Sequence, residues 1–221
     1  MGLVLKYIIS IVFSFLLSSL SVCYRWNYLE RAKKTFKEII KLQTKVLGLF
    51  VLSYTVLAAL AITFQAKKGY DNFTLVQLIL LWDGLFCIAF IDYQTKKIPN
   101  KLLICVLLII IIFIIVKGIL NFKSFIPLIL SSLLGMFVGG FIVLACMLIS
   151  RGGVGAGDMK LFAIIGFYFG LSGIIAVMMY SLFLAAIFSI IMLVSKKAKL
   201  KTTMPMAPFI LMGLSVYYLF L

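Results

Sequence analysis

The sequence predicts an all-α fold: a polytopic transmembrane helical bundle of about eight spans, forming a single integral-membrane domain over residues 1–221. Three observations predict it. Hydrophobic residues make up 65% of the 221-residue chain, and the mean hydropathy is +1.24. Charged residues make up only 12%, about half the ~25% of soluble domains. Apolar runs approaching the ~20 residues that a spanning helix needs recur along the whole chain.

The first run, 3–23, has no A-x-A-like exit and leads into a basic stretch, so it reads as a retained anchor rather than a cleaved signal. Segment 24–45 reads as a basic surface helix on the cytoplasmic side. Lys33, Lys37, Lys41 and Lys45 form one stripe, Phe36, Ile39 and Ile40 lie on another face, and Glu30 and Lys34 form an i,i+4 pair. Spans follow at 46–66, 73–91, 102–120 and 125–149. Residues 161–194 then run for 34 residues without a charge. That is too long for one span and slightly short for two, so a hairpin of 161–171 and 174–194 is expected, turning at Gly170–Gly173. Its short first arm draws Asp158 toward the membrane. The last span is 204–221.

Eight spans put both termini on one side. The loops 24–45, 92–101, 150–160 and 195–203 hold 16 of the 21 Lys and Arg residues, so that side is expected to be cytoplasmic, with the termini outside. Asp92 and Asp158 then share the cytoplasmic face.

The balance of 21 Lys+Arg against 6 Asp+Glu fits anionic lipid headgroups, and no nucleic-acid module is visible. The absence of histidine excludes Ser-His and Cys-His nucleophile pairs and histidine metal sites. Cys23, Cys87, Cys105 and Cys146 sit in apolar runs without a C-x-x-C pair, so they read as buried small hydrophobes, and no metal site is expected.

Asp92 ends one apolar run in "FIDYQTKKIPN", and Asp158 opens another in "RGGVGAGDMKLF". Two carboxylates on one face can divide acid–base work. The ionised one activates a water and the protonated one polarises a carbonyl, as in aspartic proteases, and no metal or cofactor is needed. The bland alternative is a pair of solvated loop aspartates beside lysines. Asp158 lies near a helix N-terminus, which favours negative charge, and Asp92 near a C-terminus, which disfavours it. The resting proton is therefore expected on Asp92. Gly152, Gly153, Gly155 and Gly157 are expected to allow positive φ and close approach to Asp158. Asp83 lies mid-span, half a turn out of phase with Asp92, and reads as an interhelical hydrogen-bonding acid. Lys160 reads first as a headgroup ligand and second as a modulator of Asp158.

"GAGDMKLFA" resembles the G-x-G-D motif of intramembrane aspartic proteases, and most closely that of the type IV prepilin peptidase family. "FIDYQTKKIPN" resembles the family's other catalytic segment. "MPMAPFI" resembles its P-F-G-P stretch, and "FSFLLSSLSVCYRW" faintly resembles its N-terminal run. The matching core lies at 86–169. The resemblance implies that Asp92 and Asp158 are catalytic, with Gly155, Gly157, Lys160, Pro99 and Asn100 binding substrate or supporting the motifs. It implies pilin-like precursors as partners besides membrane lipid, and cleavage of their short basic leader at the cytoplasmic face of a bacterial cell membrane. Bifunctional members carry two C-x-x-C pairs after the first span and also N-methylate the product. Segment 24–45 has no cysteine, so zinc is not expected, and S-adenosylmethionine is a cofactor only if methyl transfer is retained. Two other classes remain open, a small transporter and a non-catalytic assembly factor. Against the transporter, the aspartates lie on one side and no inverted repeat is visible.

Overall fold

The computed structural model describes residues 72–150, 153–196 and 204–220. The expected spans 3–23 and 46–66 and the surface helix 24–45 lie outside the described residues. The chain divides into two compact units, Met1–Cys87 and Ile88–Leu221.

Every described regular element is helical: α1 (Asn72–Thr95), α2 (Asn100–Leu120), a 3₁₀ turn (Phe122–Ser124), α3 (Phe125–Ile149), α4 (Ala156–Val194) and α5 (Ala207–Phe220). Among the described residues, α2, α3 and α4 are long and apolar enough to cross a membrane, and α5 carries a shorter apolar stretch. In the first unit, the part of α1 up to Cys87 buries Asp83, which is 1% exposed, and stacks Trp82 on Phe86 at 5.9 Å.

In the second unit, α2 buries one stripe, Leu102, Leu103, Val106 and Ile110, and exposes Ile104, Leu108, Ile112, Ile115 and Ile119. A helix that exposes isoleucine and leucine along its length suits a lipid surround. Cys87 is buried as expected. Cys105 is only half-buried and Cys146 is exposed on α3, where an apolar thiol facing lipid incurs no desolvation.

α3 and α4 pack antiparallel through two G-x-x-x-G pairs, Gly135/Gly139 and Gly166/Gly170. A Cβ on Gly135 would collide with the Gly166 carbonyl, and a Cβ on Gly166 with that of Gly135. In lipid no hydrophobic effect drives helices together, so backbone contact of this kind supplies the attraction. α4 breaks at Gly170, where φ is 68° and ψ is −170°, a conformation open essentially to glycine alone. The chain reverses there. A Cβ on Gly139 would meet the Phe162 carbonyl at 2.7 Å and Ile174 at 3.0 Å, so residue 174 has come back level with residue 162. The expected hairpin turn is therefore at the first of its residues. Its first arm starts at Ala156 rather than at 161, because Gly155 and Asp158 open the helix (below).

α5 runs back along the second arm of α4. Gly213 sits against Ser181, and Phe188 meets Phe209 at 5.3 Å. Tyr168, Phe169, Tyr217 and Tyr218 cluster by the α4 reversal, with Phe169 4.7 Å from Tyr168 and 5.2 Å from Tyr217. Such aromatic clusters are common at a membrane interface. The starts of α2, α4 and α5 lie at the other end.

Replacing Gly166 by leucine should separate α3 from α4 and destabilise the unit by about 2 kcal/mol or more. Leucine at the exposed Gly153 should leave stability unchanged. Thermal unfolding of the two variants in detergent checks both outcomes.

Candidate active site

Asp92 sits in the last turn of α1 and is only 4% exposed. The helix stops three residues later. The Lys96 N–H donates to the Asp92 main-chain carbonyl at 2.7 Å, with Lys96 in the left-handed region at φ 51°. Thr95 Oγ1 donates to the Ile91 carbonyl at 2.9 Å. Pro99 is buried at the N-cap of α2 with φ −75°, and its carbonyl accepts from Leu102 and Leu103. Proline holds Ile98 out of the helical region, so the connection stays short and α2 starts at Asn100.

α4 opens at Gly155. The Asp158 N–H donates to the Gly155 carbonyl at 3.1 Å, and the Gly155 N–H donates to Asp158 Oδ2 at 3.3 Å. This is half of a capping box, the side chain of the third residue reaching back to the cap. Glycine has no side chain to supply the other half. Neither Gly155 nor Gly157 has a positive φ; among the described glycines only Gly170 does. Conformational freedom is therefore not what these positions use. A Cβ on Gly157 would lie 2.9 Å from Ile98 Cβ, closer than real Cβ contacts allow. The glycine admits the chain's own I-P segment, and so lets the strand after Asp92 lie against the turn before Asp158. Lys160 Nζ donates to Asn100 Oδ1 at 3.0 Å across the same contact. Lys160 thus bonds Asn100 here, whereas the sequence pointed first to a headgroup.

The start of α5 completes the arrangement. A helix N-terminus leaves its first N–H groups without intrahelical partners. Met206 is the N-cap, its carbonyl accepting from Phe209 at 3.0 Å and Ile210 at 3.1 Å. Pro208 has no N–H. The two donors left, on Met206 and Ala207, both turn to Asp92, with Ala207 N 3.0 Å from Oδ2. Asp92 therefore caps a helix 115 residues away in sequence. Sequence reasoning gave Met206 and Ala207 no role. The signal was Pro208 just inside a helix start with no Ser, Thr, Asp or Asn among the four residues before it, which points to a cap supplied from elsewhere.

Asp92 lies near enough for its charge to act on Asp158. Among the described residues no ion pair reaches either carboxylate. The expected placing of the resting proton on Asp92 considered each aspartate's own helix. The N-terminus of α5 facing Asp92 opposes that effect, because it also favours negative charge. The helix ends therefore no longer decide which member holds the proton.

A family model described as the type IV leader peptidase family matches residues 78–190, just over half of the chain. The chain belongs to the type IV leader peptidase family. The "Prepilin leader peptidase/N-methyltransferase" of Bacillus subtilis (strain 168) is 32% identical over 90 residues, which cover 41% of this chain and 36% of that relative. The match therefore takes in little more than a third of the relative's length. No solved structure matches. The leader peptidase match includes Asp92, Pro99, Asn100, Gly155, Gly157, Asp158 and Lys160 but stops short of Met206 and Ala207.

Asp92→Ala removes the cap of α5 and should lower stability by about 1–2 kcal/mol. Asp92→Asn keeps an acceptor oxygen and should lose less than half as much. Thermal unfolding of the two variants, with hydrogen exchange at 206–210, measures the difference.

Proposed function

We propose that this protein is an intramembrane aspartic endopeptidase that removes the short basic leader from type IV pilin-like precursors at the cytoplasmic face of a bacterial cell membrane. The observation that carries the reading is the nearness of Asp158 to Asp92, 66 residues away in sequence, close enough for the charge of Asp92 to act on it. Membership of a leader peptidase family and the name of the Bacillus subtilis relative support it.

In this mechanism one aspartate is ionised and the other holds a proton. The ionised carboxylate takes a proton from water, and the water oxygen attacks the scissile carbonyl. The protonated carboxyl gives its proton to the carbonyl oxygen, forming a tetrahedral diol. The diol then collapses. The carboxyl that took the water's proton passes it to the leaving nitrogen as the C–N bond breaks, and a diol hydroxyl returns a proton to the other carboxylate. Both carboxylates end as they began. The backbone donors at Ala207 and Gly155 hold the two groups in position without exchanging protons at neutral pH. A peptide bond within a helix is committed to internal hydrogen bonds; one just before an apolar helix is accessible at the level where these carboxyls lie.

Methyl transfer, the second activity in the relative's printed name, stays outside this reading. The two C-x-x-C pairs that accompany it in bifunctional members are missing from 24–45.

Asp92→Asn and Asp158→Asn should each abolish cleavage of a pilin-like precursor while membrane insertion and expression persist; cleavage by either variant refutes the dyad. Since catalysis needs one proton on the pair, activity should fall on both the acid and the alkaline side of its optimum. Mass spectrometry of the processed product should find an unmethylated N-terminus.

A further inference from the structure

The end of the second unit that holds the aspartates also holds five of the seven lysines described there; Lys117 and Lys123 lie at the opposite end. Lys96 and Lys97 lie in the α1–α2 connection, Lys101 in the first turn of α2, Lys160 in the second turn of α4, and Lys196 just past α4. The Lys160–Asn100 hydrogen bond and the Gly157–Ile98 contact bring the first four together. From Ile88 to Leu221 the only acidic residues are Asp92 and Asp158, and among the described residues neither forms an ion pair. Among the described residues the lysines therefore share this end with no acidic side chain bonded to them.

A second observation concerns the backbone. Among the described residues, two that are not glycine have positive φ, Lys96 at 51° and Lys196 at 54°. Both terminate helices at this end. Glycine or asparagine is the ordinary occupant of that position, because any other side chain strains the backbone. Lysine stands at both of these strained positions. Favourable interaction with the helix dipole is one reason for lysine near a helix end, but it is equally available to a lysine one turn earlier, where no strain arises.

We propose that these lysines form a binding surface for anionic phospholipid headgroups, with Lys96 and Lys196 placed by their helix ends at headgroup depth. The membrane-spanning character of α2 and α4, whose ends carry Lys101 and Lys196, puts the cations at that level. Anionic headgroups attract each such lysine substantially. They would also offset the repulsion between this surface and a basic leader. That consequence rests on the proposed peptidase reading; the lipid site does not.

The test uses the full chain in vesicles of phosphatidylcholine, alone or mixed with phosphatidylglycerol, with no substrate present. Thermal unfolding and lipid retained in native mass spectrometry are measured. The parent protein should gain thermal stability and retain phosphatidylglycerol in the mixed vesicles. The double variant Lys96→Gly/Lys196→Gly removes two charges while relieving backbone strain. It should unfold no earlier than the parent in phosphatidylcholine. It should lose most of the gain in mixed vesicles, its apparent affinity falling about fivefold per lysine. An equal gain for parent and variant overturns the proposal, since the lysines would then serve only the helix ends. So does reproduction of the gain by inorganic phosphate, or retention of a soluble acidic peptide in place of phosphatidylglycerol.

Discussion

The two backbone N–H groups at the start of α5 need an acceptor. Near a bilayer an unmet amide cannot rely on water, and an orphan donor there is costly. Asp92 supplies the acceptor, and that one contact ties the end of α1 to the start of the last described helix. It also explains how a carboxylate comes to be buried at 4% exposure with no lysine among the described residues bonded to it. Asp158 is held in a similar way by the Gly155 N–H of its own helix. Both carboxyls are thus oriented by main-chain donors, which are fixed by helix geometry and which do not exchange protons at neutral pH.

Small residues decide whether the two carboxyls can meet. Gly157 leaves room for Ile98, and without that room the turn after Asp92 would be pushed away from the turn before Asp158. Further into the bundle, the Gly135–Gly166 contact sets how closely α3 lies against the first arm of α4, and the Gly170 reversal sends the second arm back toward the aspartates. α5 packs on that second arm and so delivers Met206 and Ala207 to Asp92. The dyad end therefore depends on packing far from it. A lipid surround makes this dependence stronger, since close backbone contact must do what hydrophobic burial does in water.

The helical class was legible because composition and long apolar runs leave no other fold. So was the hairpin within residues 161–194, from an uncharged run too long for one span with glycines near its middle. Asp92 and Asp158 stood out as carboxylates at the ends of apolar runs. The contacts that hold them were not legible. A hydrogen bond from a main-chain N–H leaves no residue-type signature, so Ala207 was invisible except through Pro208 beside it. Of the two uses expected of the glycines before Asp158, Gly157 shows the close approach and neither Gly155 nor Gly157 the positive φ, because sequence shows that a side chain is absent but not whether the backbone needs freedom or a neighbour needs space. The resting proton was assigned from local helix ends, and α5 came to Asp92 from 115 residues away.

The separation of charges at this end follows one logic. An aspartate bonded to lysine is biased toward its ionised form, and two such pairs would leave no member of the dyad ready to donate a proton. Lys160 is two residues from Asp158 in sequence, yet its ammonium is directed to the neutral Asn100 Oδ1. Lys96 is four residues from Asp92, yet the left-handed turn leaves it exposed while Asp92 stays buried. Among the described residues, several cations share this end with the two carboxylates and none is bonded to either. That arrangement suits the proposed aspartic chemistry, in which one proton is shared between the two carboxyls.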